Sequence, residues 1–571
     1  MSAWSEPIIL GSRLASELGA RLSRLGVEPR VRFAGAGRMS YSVLLADLPV
    51  LQAAMDDLSR TGAALPVVVD PLFKVKRDHL NAWSRASIAI GEEDTSRVVE
   101  PWLSKLDPAQ AIAVNAMLEP GLLGFCLFDE QGTGKTYMGL GLVHSLIEAG
   151  RVSQVLVFCP ASMLGTWERE FEKLPFLSSR VRGKQLVLKA GEHQLNIPSA
   201  VKVVITNYRQ AVTRQNQLSN WATRLERDGT QSRTIIILDE SFIVKNEEAQ
   251  ASAAVMSIRR ACSYCLVLCG TPAPNRPDDI VHQINLSDLG SALGEYRSTD
   301  DQVEDLRRLS VLIEDRAAFL RRLKKDVLES LPQKVFKIKR LEMSKRHRSL
   351  YDRGREAFRN ELLELGRQGI RRSYASALSG RARLIQLCSY PSAEELAPAE
   401  NTKFEALREI IKDVCVERGR KLIIWTSYLD SVSSISEFIT SIGLSVEVIT
   451  GEVLPADRTS TVLRFQEAES PQVLVCNPAA AGAGLTLTRS ADAVYMSYPS
   501  QAAHFLQSLD RIHRRGQEAA ETNFHFLVFG NTIEDRELAR LYRKEETQAE
   551  LLGDIYQLPK TIEEFLAEID A

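Results

Sequence analysis

The stretch DEQGTGKT at residues 129–136 decides which fold this sequence encodes. In runs of this kind the glycines let successive backbone N–H groups turn toward phosphate oxygens, the lysine supplies positive charge, and the threonine hydroxyl can hold Mg²⁺. The residues that keep these features are Gly132, Gly134, Lys135 and Thr136. Asp129 stands where the common phosphate loop has its first glycine, so the stretch predicts a phosphate-binding loop of a particular kind.

The flanking sequence supplies the strand and the helix that such a loop requires. The apolar run GLLGFCLF at residues 121–128 predicts a buried strand, and apolar residues at helical spacing up to Gly150 predict a helix after the loop. Four further apolar runs alternate with helical patterns: QVLVFCP from Gln154, KVVITNY from Lys202, TIIILDE from Thr234 and CLVLCGT from Cys265. Continuous apolar strands separated by helices indicate a parallel sheet covered on both faces.

The same alternation begins again near residue 421 and predicts a second α/β domain. Its strands are KLIIWTS from Lys421, LSVEVITG from Leu444, QVLVCNP from Gln472, DAVYMSYP from Asp492 and NFHFLVFG from Asn523. The chain between the two domains is helical and basic, and the N-terminal region is mixed α/β without an assignable motif. The predicted division is an accessory region at 1–100, a first lobe at 101–288, a helical insertion and linker at 289–400, and a second lobe at 401–571.

Composition limits the classes of function. A chain of 571 residues predicts several cores, and its net charge of -2 gives no overall attraction to nucleic acid, so any nucleic-acid surface must be local. The N-terminus lacks a signal-peptide pattern, and no apolar run approaches the ~20 residues that cross a bilayer. We therefore expect a cytoplasmic protein without membrane association, which would be nucleoid-associated if bacterial.

The eight cysteines predict reduced side chains in apolar surroundings rather than disulfides. Cys262, Cys265 and Cys269 form the one cluster, but neither a fourth cysteine nor a histidine lies nearby to complete a metal site. A helix end that runs into a buried strand explains the cluster equally well.

Two carboxylates end the apolar run TIIILDE. Asp239 and Glu240 then lie at the carboxyl edge of the predicted sheet, where open α/β folds bind ligands. The first can hold Mg²⁺, and the second can orient and deprotonate an attacking water. A structural helix cap is the alternative for such a pair, but the phosphate loop in the same domain favours catalysis.

Two other stretches add candidate nucleotide contacts, and a third marks only a turn. Gln110, one helix before the loop, could read an adenine edge through its amide, or it could be an exposed helical residue. Thr271 in LCGTPAPN lies in a tight turn after a strand. Gln507, Arg511 and Arg514 recur at helical spacing, so one helix face could present two guanidinium groups to a γ-phosphate. A solvent-exposed basic helix is the alternative there.

Nine motifs occur in a specific order between about residue 106 and the C-terminus. They are DEQGTGKT, VLVFCPASMLGTWERE, VVITNY, ILDESFIVKN, LVLCGTPAPN, FLRRLKKDVLESLPQKV, LIIWTSYLDSV, AAAGAGLTLT and SLDRIHRRGQ. In this order they resemble the SNF2 family of superfamily 2 helicase-like ATPases, whose first motif has Asp-Glu in place of glycine. Within that family, DES followed by KN looks nearer to the annealing-helicase-like branch.

The resemblance implies two tandem RecA-like parallel-sheet lobes that bind ATP and Mg²⁺. The implied nucleotide-binding residues are Gln110, Asp129, Glu130, Gln131, Gly132, Thr133, Gly134, Lys135, Thr136 and Gln507. The implied Mg²⁺ ligands are Thr136 and Asp239, and the implied catalytic residues are Lys135, Glu240 and the arginine fingers Arg511 and Arg514. The implied contacts to a nucleic-acid backbone are Ser162, Thr206, Ser427 and Thr486.

The expected activity is a DNA-stimulated ATPase that moves along double-stranded DNA and remodels DNA or protein–DNA structures. A strand-separating helicase on DNA or RNA and an ATP-gated DNA clamp with little turnover are the alternatives. Two departures from the family pattern matter. Phe242 stands where the family usually has histidine, so a polar link between hydrolysis and the second lobe is missing or rebuilt, and YPSQAAHF at 498–505 replaces the usual Trp-Asn-Pro.

Overall fold

The structure is a computed structural model that divides into two compact units. The first unit comprises residues 1–130 and 134–323, and the second comprises 131–133 and 324–571. The residues that the structure describes are 8–24, 30–33, 38–42, 54–55, 71–188, 197–225, 229–273, 278–294, 296–299, 301–328, 331–368, 370–389, 391, 396–453, 455–470, 472–481, 485–499, 501–546 and 566–567. None of the helices in these ranges combines the length and apolar character needed to span a bilayer.

A seven-stranded parallel sheet forms the centre of the first unit, with strand order β10-β4-β9-β8-β5-β7-β6. The strands are β4 Gly124–Leu127, β5 Gln154–Cys159, β6 Gln185–Val187, β7 Val203–Asn207, β8 Thr234–Asp239, β9 Tyr264–Leu268 and β10 Phe319–Leu320. Every residue of β4, β5, β8 and β9 is buried, because both faces of a parallel sheet are covered. The predicted parallel sheet is confirmed.

Helices of the first unit connect these strands. Their bounds are Pro108–Met117, Lys135–Glu148, Leu164–Lys173, Tyr208–Ala222, Gln250–Arg259, Asp279–Asp288 and Gln302–Arg316. Short 3₁₀ turns lie at Ala161–Met163 and Ser241–Val244, each after the carboxyl end of a strand.

The N-terminal region is mixed α/β, as predicted. Strands β1 Ile8–Gly11, β2 Arg30–Phe33 and β3 Arg38–Ser42 form an antiparallel sheet in the order β1-β3-β2, and helices span Ser12–Arg24 and Pro71–Gly91. The second of these helices packs on the strand that leads into the phosphate loop. The ring of Trp83 lies 5.9 Å from that of Phe125, and Arg85 Nε donates to Glu119 Oε1 at 2.6 Å. Residues 71–91 therefore help to build the first unit's core, and the separate role given to 1–100 stays a proposal.

The helix Pro71–Gly91 also places a buried histidine beside strand β4. Leu123 N donates to His79 Nδ1 at 3.0 Å, and the histidine is fully buried. Burial, with a smaller effect from the positive charge of Arg259, lowers the pKa of His79 to about 3. This side chain is therefore neutral in the folded protein at every pH above that value.

We expect His79 to make folding less favourable as the pH falls. The unfolded chain takes up a proton below about pH 6.5 and the folded chain does not, so stability is present at neutral pH and declines between about pH 6.5 and pH 3. At about pH 5 the loss from this group is roughly 2 kcal/mol. Chemical unfolding of the parent and His79→Gln at about pH 5 and pH 7.5 should show a smaller pH dependence in the variant. Equal pH dependence in the two proteins would contradict a neutral buried His79.

A six-stranded parallel sheet forms the centre of the second unit, with strand order β11-β16-β15-β12-β14-β13. The strands are β11 Gln333–Leu341, β12 Lys421–Trp425, β13 Val446–Ile449, β14 Val473–Cys476, β15 Ser490–Tyr495 and β16 Glu521–Phe529. The core on one face includes Tyr495 stacked on Phe526, with ring centroids 4.8 Å apart. The second predicted α/β domain is confirmed.

Helices of the second unit span Lys324–Val327, Lys345–Gln368, Ile370–Ser389, Thr402–Ile411, Leu429–Ser441, Pro455–Glu467, Pro478–Ala481, Ala502–Leu509 and Ile533–Glu546. A π-helical turn, Lys412–Glu417, continues the fourth of these. The long pair at Lys345–Gln368 and Ile370–Ser389 packs closely through a glycine, since a Cβ atom at Gly380 would lie 2.3 Å from the ring of Phe358.

The stretch 289–400 is not helical throughout, contrary to prediction. Strand β10 at Phe319–Leu320 joins the edge of the first sheet, and β11 joins the edge of the second. The sequence of β11, QKVFKIKRL, alternates lysines with apolar residues, and most of its side chains are partly or fully exposed. Such an edge strand lacks the continuous apolar run by which buried parallel strands are found.

Candidate active site

The phosphate loop lies between the end of β4 and the helix that begins at Lys135, as predicted. Gly132 and Gly134 have φ angles of 87° and 90°, in the left-handed region that side chains other than glycine rarely adopt. Gly134 is the residue that caps the helix. The N–H groups of a helix start and its dipole form a site that suits phosphate.

Asp129 is bound by an arginine, which explains why an acid occupies the usual glycine position. Its fully buried carboxylate accepts from Arg322 Nε, at 3.2 Å to Oδ1 and 3.1 Å to Oδ2, and from Arg322 N at 3.0 Å. Arg322 Nη2 completes a forked ion pair. The side chain of Asp129 thus holds the start of the loop in place, while its carbonyl oxygen accepts from Lys135 Nζ at 2.7 Å.

Lys135 brings positive charge to the loop. Its Nζ also donates to the carbonyl of Glu130 at 3.1 Å. Burial lowers the pKa of Lys135, and the nearby carboxylates of Glu240, Asp129 and Asp239 oppose that change. The predicted phosphate-binding lysine and the strand-ending carboxylates therefore lie within electrostatic reach of one another. Three further loop residues in the predicted site are also buried, namely Glu130, Gln131 and Thr133.

Asp239 is the last residue of β8 and is held by two donors. Its Oδ2 accepts from Trp167 Nε1 at 2.8 Å, and its Oδ1 accepts from Glu240 N at 3.0 Å. Burial raises the pKa of Asp239, against the effects of the Trp167 hydrogen bond and the Lys135 charge. Trp167, which lies in the motif VLVFCPASMLGTWERE but received no role from the sequence, orients this carboxylate.

Glu240 has a strained backbone and no capping role. Its φ of 51° and ψ of 52° are left-handed, which costs roughly 1–3 kcal/mol for a residue other than glycine. Its side chain makes no capping hydrogen bond to the 3₁₀ turn that follows, so the helix-cap alternative for this residue is not supported. Strain of this kind concentrates at functional sites.

The two predicted metal ligands offer oxygen atoms only. The Asp239 carboxylate and the Thr136 hydroxyl are the hard ligands that suit Mg²⁺, which usually takes one or two protein ligands and completes its shell with water and phosphate. Within the described ranges, no group of three or more His, Cys, Asp or Glu side chains forms a protein-only metal cage. The donor set fits Mg²⁺ bound together with a nucleotide.

Gln110 is not an exposed helical residue. It is buried, and its Oε1 accepts from Asp107 N at 3.2 Å to close the start of the helix Pro108–Met117. Its Nε2 would lie 2.5 Å from a Cβ atom at Gly134, so its amide packs against the phosphate loop. This position is compatible with an adenine contact, which stays a prediction.

In the second unit, three predicted residues lie together, although the helix is shorter than expected. The helix ends at Leu509, so Arg511 and Arg514 lie in the turn after it rather than on its face. Arg511 Nη1 and Arg514 Nη1 nevertheless both donate to the carbonyl of Leu485, at 2.9 Å and 3.2 Å. Arg511 Nε donates to Gln507 O at 2.9 Å. The solvent-exposed alternative is wrong for Arg511, which is 4% exposed.

A buried ion pair fixes this turn. Lys324 Nζ binds the carboxylate of Asp510, the residue before Arg511, and donates to His513 O at 3.0 Å. Both charged side chains are buried.

Gln507 is also buried, and its Nε2 has no hydrogen-bond partner in the part of the chain that the structure describes.

Three of the four predicted nucleic-acid contacts lie at or after the carboxyl end of a strand, and Thr486 lies shortly before the amino end of another. In the first unit Ser162 lies in the 3₁₀ turn after β5, and Thr206 lies near the end of β7. In the second unit Ser427 follows β12, and Thr486 precedes β15. Thr206 Oγ1 and Ser427 Oγ are buried, and neither has a hydrogen-bond partner among the described residues.

The cysteine cluster does not form a metal site. Cys262, Cys265 and Cys269 are buried around strand β9, and burial raises the pKa of each to about 12. Within the part of the chain that the structure describes, no group of three or more His, Cys, Asp or Glu side chains is placed to hold a metal ion, and these three cysteines are no exception. Their burial after the helix that ends at Arg259 and along strand β9 agrees with the explanation by a helix end and a buried strand.

Comparison with known proteins identifies both halves of the chain. A model of the SNF2-related domain matches residues 108–393, and a model of the helicase conserved C-terminal domain matches residues 402–516. The first match alone spans just over half of the chain.

Curated relatives match most of this chain but only part of their own length. A protein of Mycoplasma pneumoniae named as an uncharacterized ATP-dependent helicase is 27% identical over 73% of this chain and 39% of its own. The Bacillus subtilis putative ATP-dependent helicase/translocase YwqA is 27% identical over 76% of this chain and 47% of its own. The human DNA annealing helicase and endonuclease ZRANB3 is 24% identical over 75% of this chain and 39% of its own. The chain thus spans less than half the length of these relatives.

Among solved structures, a Sulfolobus solfataricus SWI2/SNF2 ATPase core in complex with dsDNA matches at 22% identity. It covers 79% of this chain and 93% of its own, with a TM-score of 0.36.

The domain matches agree with the motif order and with the two parallel-sheet units. ATP-dependent helicases recur among the relatives, and the phosphate loop, the strand-ending carboxylates and the paired arginines are all present. The chain therefore belongs to the SNF2 family of helicase-like ATPases.

Proposed function

We propose that this protein uses ATP hydrolysis to move along double-stranded DNA and thereby remodels DNA or protein–DNA structures. The observation that carries the nucleic-acid part is the pair of buried hydroxyls without partners, Thr206 in the first unit and Ser427 in the second. Leaving a buried polar group unpaired costs about 1–3 kcal/mol, and a backbone phosphate oxygen can supply the missing partner. Contacts to phosphate position a protein on a duplex without reading its sequence.

The names of the relatives support the same class of activity. One is called a helicase/translocase and another a DNA annealing helicase, and both are similar to this chain over about three quarters of its length. Movement along a duplex and annealing both require contact with the DNA backbone rather than with particular bases.

In the proposed nucleotide site, each residue acts on a defined part of ATP. Gln110 contacts adenine, the loop N–H groups and Lys135 contact phosphates, and Glu240 orients and deprotonates the attacking water. Thr136 and Asp239 hold Mg²⁺, which offsets the negative charge of the phosphates when bound. Arg511 and Arg514 stabilise the charge that develops on the transferred phosphoryl group.

We expect duplex DNA to stimulate ATP turnover more than single-stranded DNA or RNA. A triplex-forming strand should be displaced while an ordinary tailed duplex is not unwound. Since contacts to phosphate depend on salt, the DNA concentration for half-maximal stimulation should rise at least about tenfold between 50 and 200 mM salt. The measurement is ATPase rate against duplex, forked and single-stranded DNA and RNA at each salt concentration, with a strand-displacement assay alongside.

The buried hydroxyls provide a sharper test of the same proposal. Replacing them together, Thr206→Val with Ser427→Ala, should raise the half-saturating DNA concentration by about tenfold, as expected for two lost hydrogen bonds of ~0.5–1.5 kcal/mol each. The control is the double variant Thr213→Val with Ser441→Ala, which removes the same two hydroxyl types from exposed helix positions, one in each unit. This control should change the half-saturating DNA concentration little.

Other outcomes select the alternatives. Efficient unwinding of a tailed duplex would favour a strand-separating helicase. Tight DNA binding with slow turnover that DNA does not accelerate would favour an ATP-gated clamp.

A further inference from the structure

Phe242 stands where the family pattern has a histidine, so position 242 offers no polar side chain. A benzyl side chain cannot donate or accept a conventional hydrogen bond. The residue before Phe242, in contrast, has a side chain that makes a hydrogen bond. Ser241 is fully buried, and its Oγ donates to Gln283 Oε1 at 2.6 Å. Ser241 follows Glu240 directly, so this bond fixes the chain next to the strained backbone of Glu240.

Gln283 continues the connection to a second loop. It projects from the helix Asp279–Asp288, is fully buried, and its Nε2 donates to Pro272 O at 2.6 Å and to Asp279 O at 2.8 Å. Only this orientation of the amide aims both N–H groups at carbonyl oxygens and its oxygen at the hydroxyl. Gln283 therefore holds Ser241 and Pro272 at a fixed separation.

The far end of this connection is the turn that contains Thr271. Thr271 Oγ1 is buried and has no hydrogen-bond partner among the described residues. The turn follows β9, which pairs directly with β8, the strand that ends at Asp239. The chain Ser241–Gln283–Pro272 thus ties the loop after one strand to the loop after its neighbour, wholly within the first unit.

We propose that Gln283 is a positioning residue for ATP hydrolysis, acting through Ser241 to hold Glu240 in place relative to the Thr271 turn. The hydrogen bond from Ser241 to Gln283 supplies, one residue earlier in the chain, the polar connection that Phe242 cannot make. Movement of the Thr271 turn would be transmitted to Glu240 through two short buried hydrogen bonds. The inference rests on the proposed role of Glu240 as the group that activates water.

The positioning role predicts a loss of turnover without a loss of ATP binding. A misplacement of about 1 Å in a reacting group can cost about 10²-fold in rate. We expect Ser241→Ala and Gln283→Met each to lower kcat by about 10- to 100-fold, with and without duplex DNA, while KM for ATP changes less than about threefold. Ser241→Thr keeps the hydroxyl and should restore most of kcat. In the double variant the effects should fall well short of multiplying, since both changes break one link.

A second Gln–Ser pair in the same unit controls for the loss of a side-chain hydrogen bond between these residue types, at half-buried positions. Gln215 Nε2 donates to Ser257 Oγ at 2.8 Å between the helices Tyr208–Ala222 and Gln250–Arg259, neither of which carries a proposed site residue. Ser257→Ala and Gln215→Met should leave kcat within about twofold of the parent.

The outcomes separate this inference from the proposed catalytic roles. Folded Ser241→Ala and Gln283→Met proteins with parental kcat would overturn the positioning role of Gln283, even if Glu240→Gln abolishes turnover. Parental turnover in Glu240→Gln would instead reject the role of Glu240. If Gln283→Met does not fold, Ser241→Ala and its rescue by threonine decide the matter, because a serine hydroxyl can be removed with little change in volume.

Discussion

Arg514→Ala is expected to lower DNA-stimulated ATP turnover by about 10³-fold or more while ATP affinity stays within a few-fold of the parent. An arginine finger typically contributes ~10³ to 10⁵ in rate, because it stabilises charge that exists only in the transition state. Arg511 and Arg514 both donate to the carbonyl of Leu485, so the two guanidinium groups converge within the second unit. Arg511→Ala should therefore have a similar or milder effect.

Lysine at position 514 should rescue poorly, since an ammonium lacks the planar fork that matches phosphate oxygens. Arg515→Ala removes the same charge from the next, exposed position and should have little effect. The measurements are nucleotide affinity by equilibrium binding and turnover with saturating duplex DNA on the same folded protein. Near-parental stimulated turnover in an Arg511→Ala, Arg514→Ala double variant would reject the role of both arginines.

Glu240→Gln is expected to stop turnover, with a loss of ~10² to 10⁴ in kcat, while ATP binding is kept. The amide keeps the size and shape of the side chain but cannot take a proton from water. The substitution leaves the neighbouring hydrogen bonds in place, since the backbone N–H of residue 240 still donates to Asp239 Oδ1 and Trp167 still orients that carboxylate.

Lys135→Ala should show the opposite pattern, because Lys135 contacts phosphates already in the ground state. Its nucleotide affinity should fall by at least about tenfold, as for the loss of a charge-assisted hydrogen bond of ~1.5–3 kcal/mol.

Glu247→Gln removes an exposed carboxylate from the same segment as Glu240 and serves as the control for Glu240→Gln. Parental turnover in Glu240→Gln would assign water activation to another group.

Local patterns in the sequence determined the two parallel sheets and the core of the nucleotide site. A buried parallel strand is a short continuous apolar run, a phosphate loop needs closely spaced glycines, and a carboxylate at the end of a strand must lie at the sheet edge. Strands β4, β5, β8 and β9, the left-handed Gly132 and Gly134, and the pair Asp239 and Glu240 all follow from such patterns.

Only the tertiary structure decided which distant side chains support that site. Arg322 binds Asp129 across 193 residues, Trp167 binds Asp239 across 72, and Gln283 binds Ser241 across 42. Pairs so far apart leave no spacing or period in one sequence, because their contact depends on how strands and helices pack. The same holds for the edge strand β11 and for the helix Pro71–Gly91, whose places depend on a neighbouring strand rather than on their own patterns.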